Sequence, residues 1–104
     1  MPRFGKRSRN NLKTCDDRLQ RIFNEVIKHV DCSIIEGHRN QDRQDKLYKE
    51  GKTKLKFPNG RHNSYPSLAI DVVPYPIDWE DRERMTLFAG FVKGIAKGMF
   101  NIDL

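Results

Sequence analysis

Residues 60–79 read GRHNSYPSLAIDVVPYPIDW, a polar loop rich in glycine, proline and serine that leads into a short apolar segment. The apolar segment, residues 68–73, predicts a buried strand, and the prolines that follow it end that strand because proline cannot donate to a strand ladder. Asp71 lies inside this segment, between two branched apolar residues. A carboxylate buried there needs a metal, a cation or several hydrogen-bond donors to offset its desolvation.

His62 lies in the polar loop, nine residues before Asp71. The loop can fold back and bring the imidazole to the carboxylate, and a neutral imidazole with a carboxylate is a ligand pair that suits Zn²⁺. These two residues alone leave an alternative open. Without further context the two residues favour the plainer interpretation, in which Asp71 is a strand carboxylate bonded to backbone groups or to an arginine.

The rest of the chain predicts helices around a small sheet. A helix is expected over residues 16–29, a strand over Cys32–Glu36 and a second helix over Gln41–Glu50, ended by Gly51 in the C′ position. Asp78 is expected to cap a last helix, with Tyr75 and Trp79 packed at its entrance. The stripes assigned to the core are Leu19, Ile22, Phe23, Val26, Ile27 and Val30 in the first helix, and Phe88, Phe91, Val92, Ile95, Ala96 and Met99 in the last. The prediction is an α+β fold, with two or three helices on one face of a small antiparallel sheet.

Two blocks of sequence resemble one family. The run H-N-x-x-P-S-x-A-x-D-V-x-P-Y-P-x-D-W begins at His62, and the run G-H-R-N-Q-D-R-Q-D-K-L-Y-K-E-G begins at Gly37. Together they resemble the D-alanyl-D-alanine carboxypeptidase/L-alanyl-D-glutamate endopeptidase family of zinc peptidases, especially its small bacteriophage endolysins. The resemblance extends from Phe4 to about Phe100. It implies a hedgehog-like zinc peptidase fold and a single domain over residues 1–104.

The resemblance also implies the site. His62 and Asp71 match two of the three protein ligands to zinc, whose fourth position holds the water that attacks an amide carbonyl. Arg39 matches an arginine that faces the substrate and the developing oxyanion, and Gln44 matches a glutamine that accompanies it. The implied reaction is hydrolysis of the L-alanyl-D-glutamate bond in peptidoglycan stem peptides.

Two departures from the family pattern concern the metal. The family commonly has serine at the position of Gly60, so a hydrogen bond near the metal is expected to be absent or supplied by another residue. The family's third ligand is a histidine near the C-terminus, beside the catalytic carboxylate, and nothing in residues 101–104 matches that segment. His29 reads as a surface residue of the first helix, and His38 is expected to point away from Arg39. The domain is therefore expected to be C-terminally incomplete, without its last strand or strands.

Composition agrees with one small domain. The chain has 104 residues with 37% hydrophobic content, no internal repeat, no apolar leader segment and no run of membrane-spanning length. Cys15 and Cys32 lack metal-binding or redox spacing and are expected to be packed, reduced thiols. For an endolysin-like protein this predicts a monomer made in the host cytoplasm, which acts on the cell wall and in the periplasm at lysis.

The net charge of +6 fits either an ordinary solvated basic surface or a polyanionic partner. Residues 1–13 carry five basic and no acidic side chains, and residues 43–61 carry seven basic and two acidic ones. Peptidoglycan carboxylates and anionic wall polymers fit this charge, as does nucleic acid. The basic segments contain few aromatic residues and no nucleic-acid-binding fingerprint, so nucleic acid is not expected as the partner. Two alternatives to the enzyme remain, a non-catalytic relative that binds cell wall and a basic nucleic-acid-binding module.

Overall fold

The computed structural model describes residues 2–104 as an α+β fold with a two-stranded antiparallel sheet. In chain order the elements are α1 (Lys6–Lys13), α2 (Asp17–Val26), β1 (Cys32–Glu36), α3 (Gln41–Lys49), a 3₁₀ helix (Arg61–Asn63), β2 (Asp71–Pro74) and α4 (Arg82–Phe100). The α+β class and the small antiparallel sheet are confirmed. The expectation of two or three helices is wrong, because the basic N-terminal segment forms a further helix, α1.

Helix α1 lies along the edge of β1 that β2 does not pair with. The Asn11 side chain donates to the carbonyls of Ile34 and Ile35, at 2.8 and 3.1 Å. The Ser8 hydroxyl accepts the N–H of Ile34 at 3.0 Å. These bonds satisfy backbone groups that an open strand edge would expose, so α1 protects this edge of the sheet.

Helices α2 and α3 begin and end close to the expected positions. The Asp16 carboxylate caps α2 by accepting the N–H of Arg18, and α2 ends at Val26, three residues before the expected boundary. The Asn40 side chain caps α3, and Gly51 follows it with a φ of 75°. A left-handed residue directly after a helix is the conformation that glycine adopts at least cost.

The sheet is irregular at the end formed by Glu36 and Asp71. Cys32 pairs with Pro74, and the register shifts after Ile34, so that Glu36 lies opposite Asp71. Strand β2 starts only at Asp71, whose side chain is 53% exposed. The expectation that Asp71 is buried inside a strand is therefore wrong, because the residues before it form an irregular segment and the carboxylate lies at the strand's open end.

Helix α4 starts later than expected. Its cap is Asp81, which accepts the N–H of Arg84, whereas Asp78 accepts the N–H of Glu80 in the preceding turn. Tyr75 and Trp79 are both exposed, so the expected packing of these rings at the helix entrance is wrong. No helix within residues 2–104 is long and apolar enough to cross a membrane.

The core lies between α2, α4 and the sheet. Its buried side chains include Leu19, Ile22, Phe23, Val26, Ile34, Phe88, Val92 and Ala96. Phe91 and Met99, which were assigned to the same stripe of α4, are exposed. Cys15 and Cys32 are buried and unpaired, and burial raises the pKa of Cys32 to about 12, so both thiols act as small apolar residues.

Candidate functional site

The 3₁₀ helix holds His62 in one orientation and one tautomer. Its Nδ1 lies 2.7 Å from the carbonyl oxygen of Gly37, which can only accept, so Nδ1 carries the proton. Nε2 is therefore the nitrogen that faces Asp71, where it can take up a second proton or bind a metal. Residue 37 is glycine because its backbone packs against the end of α1, where a Cβ would collide with Thr14, with the carbonyl of Asn11 and with Cys15.

Asp71 stands between a histidine and an arginine. One carboxylate oxygen lies 3.6 Å from Nε2 of His62, and the other lies 3.7 Å from Nη2 of Arg39. Both distances are longer than a hydrogen bond. The carboxylate is therefore held by charge rather than by a tight bond, and its remaining lone pairs are open to solvent.

The charge states of this pair follow from its geometry. The contact with Asp71 raises the pKa of His62 above 6.5, with help from the Gly37 carbonyl and against the effect of burial. The contact with His62 lowers the pKa of Asp71 below 3.8, and burial opposes this shift. Asp71 is therefore ionised at neutral pH and ready to act as a ligand.

The pair fits two of the positions around a zinc ion. Tetrahedral zinc with bonds of about 2.0–2.2 Å holds neighbouring ligand atoms roughly 3.3–3.5 Å apart, and Nε2 of His62 lies 3.6 Å from Oδ1 of Asp71. The Gly37 carbonyl supplies the outer hydrogen bond that orients metal-binding histidines. Within residues 2–104, however, no group of three or more His, Cys, Asp or Glu residues could hold a metal.

The other two histidines lie outside this cluster. His29 is an exposed residue just after α2, 2.8 Å from the carboxylate of Glu25. Nδ1 of His38 lies 3.0 Å from the carbonyl of Ser64, and its ring meets Tyr65 edge to face. Neither contributes a third ligand beside His62.

Arg39 is the largely buried cation of the site. Its side chain is only 13% exposed. Nε and Nη2 donate to one oxygen of Glu36, at 3.1 and 2.7 Å, and Nη1 donates to Gln44 at 3.1 Å. Because Glu36 lies opposite Asp71 in the sheet, the guanidinium separates two carboxylates that would otherwise repel each other.

Glu36 keeps its charge although it is largely buried. Burial favours the neutral acid, but hydrogen bonds from Arg39 and Arg43 outweigh burial and lower the pKa of Glu36. Its second oxygen accepts from Nε of Arg43 at 3.1 Å. One carboxylate thus fixes two guanidinium groups.

Gln44 is fully buried and acts through its neighbours. Its side-chain oxygen accepts from Arg39 and, at 3.2 Å, from the amide of Asn63, while its nitrogen donates to the carbonyl of Leu55 at 2.6 Å. Asn63 also donates to the carbonyl of Arg39 at 3.0 Å. Gln44 therefore has no surface to offer a substrate, and we describe it as a positioning residue.

Asn63 fills the space beside Gly60, where the family commonly has serine. Its side-chain oxygen accepts the N–H of Gly60 at 2.9 Å, and a Cβ at position 60 would lie 2.7 Å from that oxygen. Asn63 therefore ties the backbone at Gly60 to Arg39 and Gln44, and a side chain at position 60 would displace it.

The structure brings together the four site residues predicted from the sequence, but three further residues of the site were not predicted. Glu36, Arg43 and Asn63 were not singled out, although each contacts a residue that was. A signal existed for Glu36, since an acid three residues before an arginine at a strand end can turn back to it. Arg43 and Asn63 lie inside the two runs that carry the family resemblance, but the runs by themselves give neither residue a role.

Comparison with known proteins gives a family and a fold. The model of the phage L-alanyl-D-glutamate peptidase family matches residues 1–101. The crystal structure of Serratia marcescens L-Ala D-Glu endopeptidase ChiX is similar, with a TM-score of 0.69 and 22% identity over 90% of this chain and 74% of that one. At this identity the likeness shows a shared fold. Comparison with curated proteins gives no match. Because the family model covers nearly all of the sequence, this chain belongs to the phage L-alanyl-D-glutamate peptidase family.

Proposed function

We propose that this chain carries the substrate and metal site of a zinc-dependent endolysin that hydrolyses the L-alanyl-D-glutamate bond of peptidoglycan stem peptides. The observation that supports this most strongly is the paired geometry of His62 and Asp71. An imidazole with its Nδ1 proton fixed by a carbonyl and its Nε2 directed at an ionised carboxylate is an arrangement typical of a metal site.

His62 and Asp71 would hold the metal, and a third ligand would come from a histidine in a further segment, as the family resemblance implies. Bound there, zinc would make an attacking water acidic and polarise the amide carbonyl. The protein's own contribution is orientation. The Gly37 carbonyl holds the proton on Nδ1 and so leaves Nε2 for the metal, while His62 and Arg39 keep Asp71 ionised.

Arg39 is the proposed oxyanion-stabilising group. Nη2 lies 3.7 Å from Asp71, which places the positive charge beside the ligand pair. Glu36 and Gln44 hold this guanidinium from the other sides, so little reorganisation is needed when negative charge develops.

We infer the finer features of the fold and setting from the same family. The fold is proposed to be that of the D-alanyl-D-alanine carboxypeptidase/hedgehog-like peptidases. The protein is proposed to be a monomer made in the host cytoplasm, with the cell wall as its place of action. The excess of 20 basic over 14 acidic side chains supports attraction to an anionic wall.

Metal binding tests the proposal directly. We expect the isolated chain to bind Zn²⁺ weakly by titration calorimetry, because it offers only two ligands, and we expect His62→Ala or Asp71→Ala to abolish this binding. His29→Ala is the matched control and should leave it unchanged. Binding should weaken as the pH falls through the raised pKa of His62, above 6.5, because a proton on Nε2 competes with the metal.

Two results would contradict this. Stoichiometric zinc retained through dialysis would mean that a ligand has been missed, and unchanged binding by His62→Ala would remove His62 from the site.

A non-catalytic role in wall binding is the second candidate, favoured by the lack of a third ligand within residues 2–104. Sedimentation with purified peptidoglycan, compared with DNA at increasing salt, separates these readings. Binding to peptidoglycan without release of peptides from any extended form of the protein would favour the wall-binding role, and preferential, salt-sensitive DNA binding would favour a nucleic-acid-binding module.

A further inference from the structure

Two arginines contact Glu36, and they differ in which guanidinium N–H groups remain without a protein acceptor. Arg39 is 13% exposed and donates from Nε, Nη1 and Nη2 to protein acceptors. Arg43 is 48% exposed and, among the described residues, its guanidinium donates only from Nε, to Glu36. The Nη1 and Nη2 edge of Arg43 therefore remains available.

That free edge has the geometry of a carboxylate receptor. The outer edge of a guanidinium offers two parallel N–H groups that match the two oxygens of a carboxylate. The Nε bond to Glu36, at 3.1 Å, restricts the side chain, and the cap from Asn40 to the Arg43 N–H fixes the backbone beneath it at 2.9 Å. Less conformational entropy is therefore lost when a ligand binds.

The position of Arg43 on α3 is unfavourable for the helix itself. It lies in the first turn, where the helix dipole favours negative rather than positive side chains. The same dipole would favour an anionic ligand bound beside Arg43. Glu36 divides its charge between two arginines, and the second carboxylate of the cluster, Asp71, lies beside Arg39 rather than Arg43.

We propose that Arg43 binds a carboxylate of the substrate and so determines specificity for an acidic residue next to the scissile bond. This inference rests on the proposed function, which supplies the ligand: the carboxylate that D-glutamate keeps free on the leaving-group side of the L-alanyl-D-glutamate bond. Arg39 lies next to Asp71 and Arg43 lies one ion pair further out, through Glu36. The two arginines thus have separate roles, Arg39 at the reacting carbonyl and Arg43 at the neighbouring carboxylate.

Binding of synthetic stem peptides to the full chain tests this without requiring turnover. One peptide contains L-alanyl-D-glutamate, and its partner carries a carboxamide in place of the free carboxylate. By titration calorimetry we expect the chain to bind the carboxylate peptide at least about tenfold more tightly, as a charge-assisted hydrogen-bond pair predicts. Arg43→Gln should bind both peptides equally, and Arg43→Lys should keep only a small part of the preference.

Arg18→Gln is the matched control, because Arg18 is also an exposed helix arginine that donates from Nε to a carboxylate, that of Asp16 at 3.0 Å. It should keep the full preference, and circular dichroism should show all variants folded. If Arg43→Gln keeps the tenfold preference, or if the unchanged chain binds both peptides equally, the role of Arg43 is refuted while the proposed function stands. If the unchanged chain binds neither peptide, the proposed substrate is wrong and this inference fails with it.

Discussion

Glu36 is the residue on which the charge balance of the site depends. It lies opposite Asp71 and accepts hydrogen bonds from Arg39 and Arg43. Removing its charge would leave the Arg39 guanidinium largely buried with only the more distant Asp71 as a counter-charge. A single substitution should therefore disturb both the stability of the protein and the direction of two arginines.

We expect Glu36→Gln to lower the free energy of unfolding by about 2 kcal/mol, the cost of charge-assisted hydrogen bonds lost at a site shielded from water. Urea unfolding at neutral pH measures this. Glu25→Gln is the control: both carboxylates belong to side chains that are 17% exposed, but the partners of Glu25, Lys28 and His29, are at least half exposed. The decrease in the free energy of unfolding should be clearly smaller for Glu25→Gln than for Glu36→Gln. Equal losses would mean that Glu36 is an ordinary surface ion pair.

The sequence predicts that His62 lies near Asp71 and that Arg39 lies near Gln44. The sequence does not predict how they meet. Asp71 was expected to be buried because its neighbours are apolar, but apolar neighbours in sequence do not bury a side chain at the end of a two-stranded sheet. The spacing of Glu36 and Arg39 is visible in the sequence, but the position of Glu36 opposite Asp71 depends on a register shift that no local pattern reveals.

The helices also differ in whether local sequence or tertiary contacts determine them. α2 and α3 carry side-chain caps, and α2 also has a strong apolar stripe, so their approximate bounds are predictable. α1 has only Ser8 and Leu12 buried, and its other side chains are mostly charged or polar. Its stability comes from hydrogen bonds to β1, which are invisible in a single stretch of sequence.

Two glycines of the helical elements should respond in opposite directions to alanine. Gly51 ends α3 with a φ of 75°, a conformation that alanine adopts only with strain. Gly94 lies within α4, where an added Cβ meets nothing within 4 Å. We expect Gly51→Ala to destabilise the protein by about 1 kcal/mol and Gly94→Ala to stabilise it by about 0.5–1 kcal/mol. Thermal unfolding of the two variants measures the difference, and a shift of the same sign in both would contradict the helix boundary assigned at Gly51.

In the part of the chain that the structure describes, one sheet edge beside the candidate site is unpaired. Within residues 2–104 the sheet has two strands; α1 covers the outer edge of β1, and the outer edge of β2 adjoins an apolar groove of about 230 Å³. The lining residues of this groove include Phe23, Ile70, Val72, Phe88, Val92 and Leu104. A strand added along this edge would cover apolar surface and bring its side chains next to Asp71, the first residue of β2.

Appending a C-terminal segment with the family's histidine and neighbouring carboxylate should therefore produce tight zinc binding and peptidase activity together. The histidine would supply the third metal ligand, beside His62 and Asp71. The carboxylate would supply a general base within reach of the metal site. Mass spectrometry of digested peptidoglycan measures the outcome, and cleavage between L-alanine and D-glutamate is expected. The control is the same extension with alanine in place of the histidine, which should bind zinc as weakly as the 104-residue chain. Release of free D-alanine, with the stem peptides still attached to the glycan, would instead assign the carboxypeptidase activity, and equal hydrolysis by the short and extended forms would refute the role given to the added histidine.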